Sequence, residues 1–186
     1  KENKIWLATG NNHKVEEAKM VMAEYGIELG HIKVDRIEIQ SDDPREITVY
    51  SLTQLPEDGR PVAIEDAGIF IDHYGGFPGP YSSYTLQKLD NPGILKLMEG
   101  VENRKVAYHS CVGFRNSGEV HIFQGTVRGR VADEIRGTNG FGYDPIFIPE
   151  EGDGSTFGEM NKDEKNAISH RARAFGALAI WLKAQE

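Results

Sequence analysis

Four short segments carry residue types that can do chemistry. The first is Thr9-Gly10-Asn11-Asn12-His13-Lys14, a Gly/Asn turn that leads a strand into a helix with a lysine in its first turn. Backbone N–H groups at a helix N-terminus, together with one ammonium, make a cradle for phosphate. The spacing is not that of a P-loop, and no dinucleotide-type glycine run accompanies it. An ordinary strand–helix turn with an asparagine cap and a surface lysine is the competing reading. The second segment is the acidic pair Glu65-Asp66, at the end of an apolar strand and followed by Ala67-Gly68. Carboxylates where a strand ends can hold Mg²⁺ or activate water. Glu38, on a strand expected ahead of the next helix, is a further candidate. With 29 acidic residues in 186, a pair near a strand end is also what abundance alone would supply.

The third segment, Gly137-Thr138-Asn139-Gly140-Phe141-Gly142-Tyr143-Asp144-Pro145, puts two aromatics and one acid in a glycine-rich loop. Aromatic faces can stack on a base while a carboxylate accepts a ring N–H; a tight turn whose aromatics cap the core is the alternative. The fourth is Lys165 to Arg171 at the start of the last helix. Lys165 heads that helix's apolar stripe, so its ammonium either snorkels to solvent or points into a cleft. Ser169, His170 and Arg171 cross from the stripe to its flank, where a solvated helix face competes with a binding role.

The elements that must position these groups alternate strand, helix, strand. Lys4–Thr9 reads as a strand and His13–Tyr25 as a helix with Val15, Ala18, Met22 and Tyr25 on one face. Ile32–Gln40 has the alternation of a strand. Asp42 and Asp43 before Pro44 mark the start of a helix running to about Leu55. Pro61–Glu65 and Ile69–Asp72 read as two short strands around a break at 66–68. Tyr84–Leu89 is helical, and Asn91-Pro92-Gly93 opens a helix ending at Gly100. Val106–Phe114 and Val120–Val131 are hairpin strands across Asn116-Ser117-Gly118, and Pro145–Pro149 is a short strand. Asn161 with Glu164 starts the last helix, which carries Ile168, Ala172, Phe175, Ala179 and Leu182 in one stripe to about Ala184.

Composition limits the partners. Lys+Arg number 21 against 29 Asp+Glu, a net charge of −8, which argues against nucleic acid as a polymer partner and against an anionic membrane. The apolar run Ile5-Trp6-Leu7-Ala8 is too short for a signal peptide or a transmembrane helix. A single cysteine, Cys111, excludes an intrachain disulfide and fits a reducing, cytoplasmic setting. The whole chain, 1–186, is expected to be one α/β domain.

Taken in order, Thr9-Gly10-Asn11-x-x-Lys14, Glu38-Ile39-Gln40, Glu65-Asp66-x-Gly68, Gly76-Phe77-Pro78-Gly79-x-Tyr81-Ser82, Phe141-Gly142-Tyr143-Asp144-Pro145 and Lys165-x-x-x-Ser169-His170-Arg171 form a series. That series closely resembles the inosine/xanthosine triphosphate pyrophosphatase family over about Ile5 to Leu182. The resemblance implies Mg²⁺-dependent hydrolysis of non-canonical purine nucleoside triphosphates to the monophosphate and pyrophosphate. It implies that the Thr9–Lys14 segment (Thr9, Gly10, Asn11, Asn12, His13 and Lys14) and Ala67 contact substrate, with the phosphates on Thr9, Asn11 and Lys14. Glu38 and Asp66 would hold the metal, and Asp66 would accept the proton of the attacking water. Phe141, Gly142, Tyr143, Asp144, Lys165, His170 and Arg171 would form the base pocket. The implied fold is a long twisted mixed β-sheet flanked by helices, two lobes with a central substrate cleft, in a homodimer. Two positions depart from the family pattern: Ala67 stands where a hydroxyl residue is usual, and Tyr84 where many members carry arginine. A nucleotide-binding module without turnover, and a related pyrophosphatase for modified pyrimidine nucleotides, are the alternatives at this stage.

Overall fold

Alternating burial along Lys4–Ala8 makes β1, and the computed structural model, which describes residues 3–186, carries the chain from it through a short turn into α1 (Asn12–Glu24). Residues 1 and 2 of the expected 1–186 domain lie outside the described residues. The Asn11 side chain caps α1 by accepting from the His13 N–H at 3.0 Å, and the Thr9 hydroxyl accepts from the Asn11 N–H at 3.1 Å. Val15, Ala18, Val21 and Met22 form the buried face of α1. The return strand β2 (Glu28–Ile32) lies parallel to β1, with Lys4 opposite Glu28 and Ala8 opposite Ile32.

Asp43 then caps α2 (Pro44–Thr53), accepting from the Arg45 N–H at 2.9 Å, with Pro44 in the first turn where its missing donor costs nothing. Next come β3 (Val62–Ile71), parallel to β1 with Trp6 opposite Val62, and α3 (Ser82–Leu97), kinked at Asp90. The long hairpin β4 (Lys105–Asn116) and β5 (Glu119–Val131) turns at Ser117 and Gly118, whose positive φ values of 51° and 83° suit a tight two-residue connection. A short β6 (Phe147–Pro149), antiparallel to β5, and helices α4 (Lys162–Ile168) and α5 (His170–Ala184) complete the chain. The sheet is mixed and six-stranded, in the order β2-β1-β3-β4-β5-β6, so the expected α/β class with a mixed sheet holds. No helix among the described residues is long and apolar enough to cross a membrane.

The chain divides into two compact units. The first holds the chain up to Asp66 together with Ser110–Gly125 and His170–Glu186; the second holds Ala67–His109 and Thr126–Ser169. The first unit's main core joins Leu7, Val15, Ala18 and Met22 to Val112, Phe114, Phe175 and Leu178. A smaller cluster there comprises Ala8, Leu52, Leu55, Val62 and Ile64. The second unit packs Ile69, Ile71, Ile94, Met98, Tyr108, Val127, Phe147 and Phe157 around one core.

Four sequence expectations need correction. The strand placed at Ile32–Gln40 is instead β2, which ends where that segment was to begin. Its neighbour β1 runs out at Ala8, and β2 is the edge of the sheet, so residues 33–43 have no ladder to join. The two strands around 66–68 are one continuous strand. Gly68 does not break it: a Cβ there would lie 2.3 Å from the Gly79 carbonyl oxygen and 2.7 Å from the Ser82 hydroxyl, so the glycine answers to close backbone approach. The strand at Pro145–Pro149 begins only at Phe147, after a 3-10 turn at Asp144–Ile146. The last helix is two helices, because Ser169 is extended (φ −68°, ψ 155°) between α4 and α5.

Candidate active site

In the first unit a chain of charges runs from α1 through β3 to α5. Glu65 is 1% exposed, and its carboxylate accepts from Arg171 Nε at 2.7 Å, while Lys14 Nζ lies 3.7 Å away. Arg171, itself buried, also pairs with Glu17 on α1. Burial alone would push the Glu65 carboxyl up, but Arg171 and Lys14 outweigh it and hold the group down at about 2. Lys14 also donates to the Glu65 carbonyl oxygen at 3.5 Å, so the ammonium is tied to β3 by backbone as well as side chain. Thr9 is buried, Asn11 and Lys14 are half-buried, and Gly10, Asn12 and His13 are exposed around the helix entrance.

Asp66 follows Glu65, and neighbouring strand residues point to opposite faces. Its surroundings differ accordingly. Burial raises its carboxyl first, Glu38 and Glu65 add to the rise, and Lys14 and Arg36 oppose it; the result is about 7. A carboxyl raised this far can take up a proton near neutral pH. Glu38 faces this group from the irregular segment 33–43, where Arg36 reaches its carboxylate at 3.2 Å.

A buried carboxyl whose proton affinity a second carboxylate raises is a site a cation would relieve, and hard oxygen donors suit Mg²⁺. No group of three or more His, Cys, Asp or Glu capable of holding a metal occurs among the described residues.

The second unit gathers the glycine loop and Lys165. Asp144 is fully buried and accepts at Oδ2 from the Phe141 N–H (3.0 Å) and from Lys165 Nζ (2.7 Å). Lys165 Nζ lies 4.8 Å from the centre of the Phe141 ring, a cation–π arrangement. Gly140 permits the turn: its φ is +69°, and a Cβ there would sit 2.0 Å from Asp144 Oδ2. Asn91, at the kink of α3, donates to the Gly142 carbonyl oxygen at 2.9 Å. Tyr143 is a core residue whose hydroxyl donates to the Ser82 carbonyl oxygen at 2.6 Å, which leaves the half-buried Phe141 as the loop's aromatic face. Ala67 is half-buried at the start of this unit's share of β3.

The structure therefore brings Thr9, Asn11, Lys14, Glu38 and Asp66 into one unit, and Phe141, Gly142, Asp144 and Lys165 into the other. His170 and Arg171, grouped with the base pocket on sequence, belong to the first unit and are buried. Their solvated-face reading fails because α5 begins at His170 and packs its first turn onto β5: a Cβ on Gly125 would lie 2.2 Å from the His170 carbonyl oxygen. Sequence reasoning missed Glu17, Arg36 and Gln54. Glu17 had a signal, standing three residues after Lys14 and so on the same helix face. Arg36 and Gln54 act through an irregular segment and had none.

Comparison with known proteins gives a consistent picture. The model of the Ham1 family matches residues 5–181. A dITP/XTP pyrophosphatase of Methanopyrus kandleri is 50% identical over 182 residues, covering 97% of this chain and 96% of that protein. A dITP/XTP pyrophosphatase of Hyperthermus butylicus is 44% identical over 180 residues, 96% of this chain and 94% of the relative. Among solved structures, a HAM1 protein from Coxiella burnetii superposes with a TM-score of 0.84 at 27% identity, over 97% of this chain and 98% of that one.

Proposed function

The chain belongs to the Ham1 family, and from that membership we propose that it hydrolyses non-canonical purine nucleoside triphosphates (dITP, ITP and XTP) to the monophosphate and pyrophosphate. The observation that carries the reading is Asp66, a buried carboxyl held near neutrality beside Glu38, with Lys14 close enough to oppose its rise. In this proposal Asp66 accepts the proton of the water that attacks the α-phosphorus. Lys14 and the N-terminus of α1, with Thr9 and Asn11, bind the leaving pyrophosphate and stabilise the charge it gains. Glu65 and Arg171 hold Lys14 and the start of α5 in place instead of touching the reacting atoms. Glu38 and Asp66 would hold a Mg²⁺ ion, which would lower the proton affinity of water and offset phosphate charge.

Base selection is assigned to the second unit. Hypoxanthine and xanthine present a 6-oxo acceptor and an N1–H donor, and adenine presents the reverse. Lys165 supplies a donor for the 6-oxo group, and Phe141 a ring face for stacking. Asp144 pairs with Lys165 to orient it and braces the loop through the Phe141 N–H. A site built to hydrogen-bond one pattern leaves buried groups unpaired against the other, which supports discrimination of ~10⁴ or more. We also propose the homodimer and cytoplasmic setting that the family resemblance implies. The test is product identity: ITP and XTP incubated with the protein and Mg²⁺ should release pyrophosphate, detected as phosphate only after inorganic pyrophosphatase is added. Direct release of phosphate, or no turnover of either nucleotide, would reject the reading.

A further inference from the structure

Glu38 is the one carboxylate of the proposed catalytic set that no helix or strand supports, because residues 33–43 lie between β2 and α2 without regular structure. Val34 packs against the smaller core cluster, but burial does not fix the part next to Glu38, where Ile37 is 71% exposed. Two side chains supply what the backbone lacks. The Gln54 amide pairs with both polar groups of Ile37, its Oε1 accepting from the Ile37 N–H at 2.8 Å and its Nε2 donating to the Ile37 carbonyl oxygen at 2.5 Å. It takes the place of a strand partner for one residue. Gln54 is itself well held, since it closes the C-terminal end of α2, where Arg115 from β4 donates to the carbonyl oxygens of Leu52 (2.9 Å) and Pro56 (2.8 Å). On the other side of Ile37, Arg36 Nη2 donates to the Glu65 carbonyl oxygen at 3.0 Å and to Glu38 Oε1 at 3.2 Å. The Arg36 side chain is 8% exposed and that of Glu38 is 40% exposed, so a buried guanidinium anchored on β3 restrains a carboxylate open to solvent.

We infer that Gln54 and Arg36 are positioning residues that together hold the Glu38 carboxylate in place for the divalent cation of the proposed reaction. Outer partners that orient a metal ligand are typically worth about 10- to 100-fold in metal affinity. Neither residue touches substrate; both act through Glu38, and the inference rests on the reading of Glu38 as a metal ligand.

The test is Mn²⁺ affinity, read by electron paramagnetic resonance on the whole protein with an α,β-imido analogue of ITP that cannot be hydrolysed. Glu38→Gln is the reference and should weaken Mn²⁺ binding. Gln54→Ala changes no charge and lies at an exposed position, and it should weaken binding by about tenfold. Added to Glu38→Gln, it should have no further effect. Arg36→Ala removes a positive charge, which by electrostatics alone would tighten Mn²⁺ binding; weaker binding is expected because the Glu38 restraint is lost. Wild-type affinity in Gln54→Ala with a weakened Glu38→Gln would overturn the inference and leave the metal-ligand reading standing. So would a lower melting temperature in Gln54→Ala with unchanged affinity, since that is a structural role only. Tighter binding in Arg36→Ala would remove Arg36 from the clamp. Unchanged binding in Glu38→Gln would reject the metal-ligand reading itself.

Discussion

Replacing Glu65 with glutamine removes the negative charge at the centre of the Lys14–Glu65–Arg171–Glu17 chain while keeping the side chain's shape. The cost can be worked from the carboxyl's own titration. It falls from an ordinary 4.5 to about 2 in the folded protein, despite burial, because Arg171 and Lys14 favour the charged form. At ~1.4 kcal/mol per pH unit, that depression corresponds to about 3 kcal/mol of stability at neutral pH. Glu65 is 1% exposed, so solvent screening takes little of it. Glu65→Gln should therefore lower the free energy of urea unfolding by about 3 kcal/mol, near the lower end of what breaking a buried ion pair costs. Arg171 keeps its partner Glu17, which limits the loss. The sign with pH follows from the depression. The contribution is complete above about 4.5 and is lost as pH falls toward about 2. Wild-type stability should fall through that window, and the variant should lack this part of the fall. A variant within about 0.5 kcal/mol of wild type, the range of ordinary surface substitutions, would refute the reasoning. An acid profile parallel to that of wild type would refute it as well.

Asp66→Asn should reduce kcat by about 100- to 10,000-fold, the usual worth of a general base, while the affinity for a non-hydrolysable ITP analogue, measured by calorimetry without divalent cation, stays near that of wild type. Lys165→Met should lower the ITP-over-ATP ratio in kcat/KM by about tenfold or more, as loss of a charged hydrogen bond implies. Pairing it with Asp144→Asn avoids stranding a buried carboxylate, and an unchanged ratio in the double variant would count against base reading from this unit. Cys111 is fully buried with its thiol raised by burial to about 11. Ellman's reagent should therefore label it slowly in the native protein at mildly alkaline pH and rapidly in denaturant, and fast native labelling would contradict that burial.

Much of this architecture was readable from local chemistry. The Asn11 and Asp43 caps, the Ser117-Gly118 turn and the Asn161 start are set by residues within a few positions of one another, and each appears as expected. What escaped depends on partners far along the chain. Gly68 looked like a strand break because its neighbours in space, Gly79 and Ser82, are not its neighbours in sequence. Ser169 interrupts a helix whose apolar stripe continues on paper, because each half packs in a different unit. The acidic pair was visible, but its division was not. Adjacent strand residues face opposite ways, so Glu65 became an anchor for cations and Asp66 a carboxyl with raised proton affinity. The support of Glu38 by Gln54 bridges an irregular segment to a helix end, and no periodicity announces such a contact.

The central claim is that this chain selects non-canonical purine nucleotides and cleaves them between the α and β phosphates. The measurement that bears on it most directly is kcat/KM for ITP, dITP and XTP against ATP and GTP, with Mg²⁺ present and pyrophosphate followed as product. The account predicts that the first three exceed ATP by ~10⁴, the scale on which a mismatched hydrogen-bond pattern is rejected. Comparable values for ITP, XTP and ATP would contradict it.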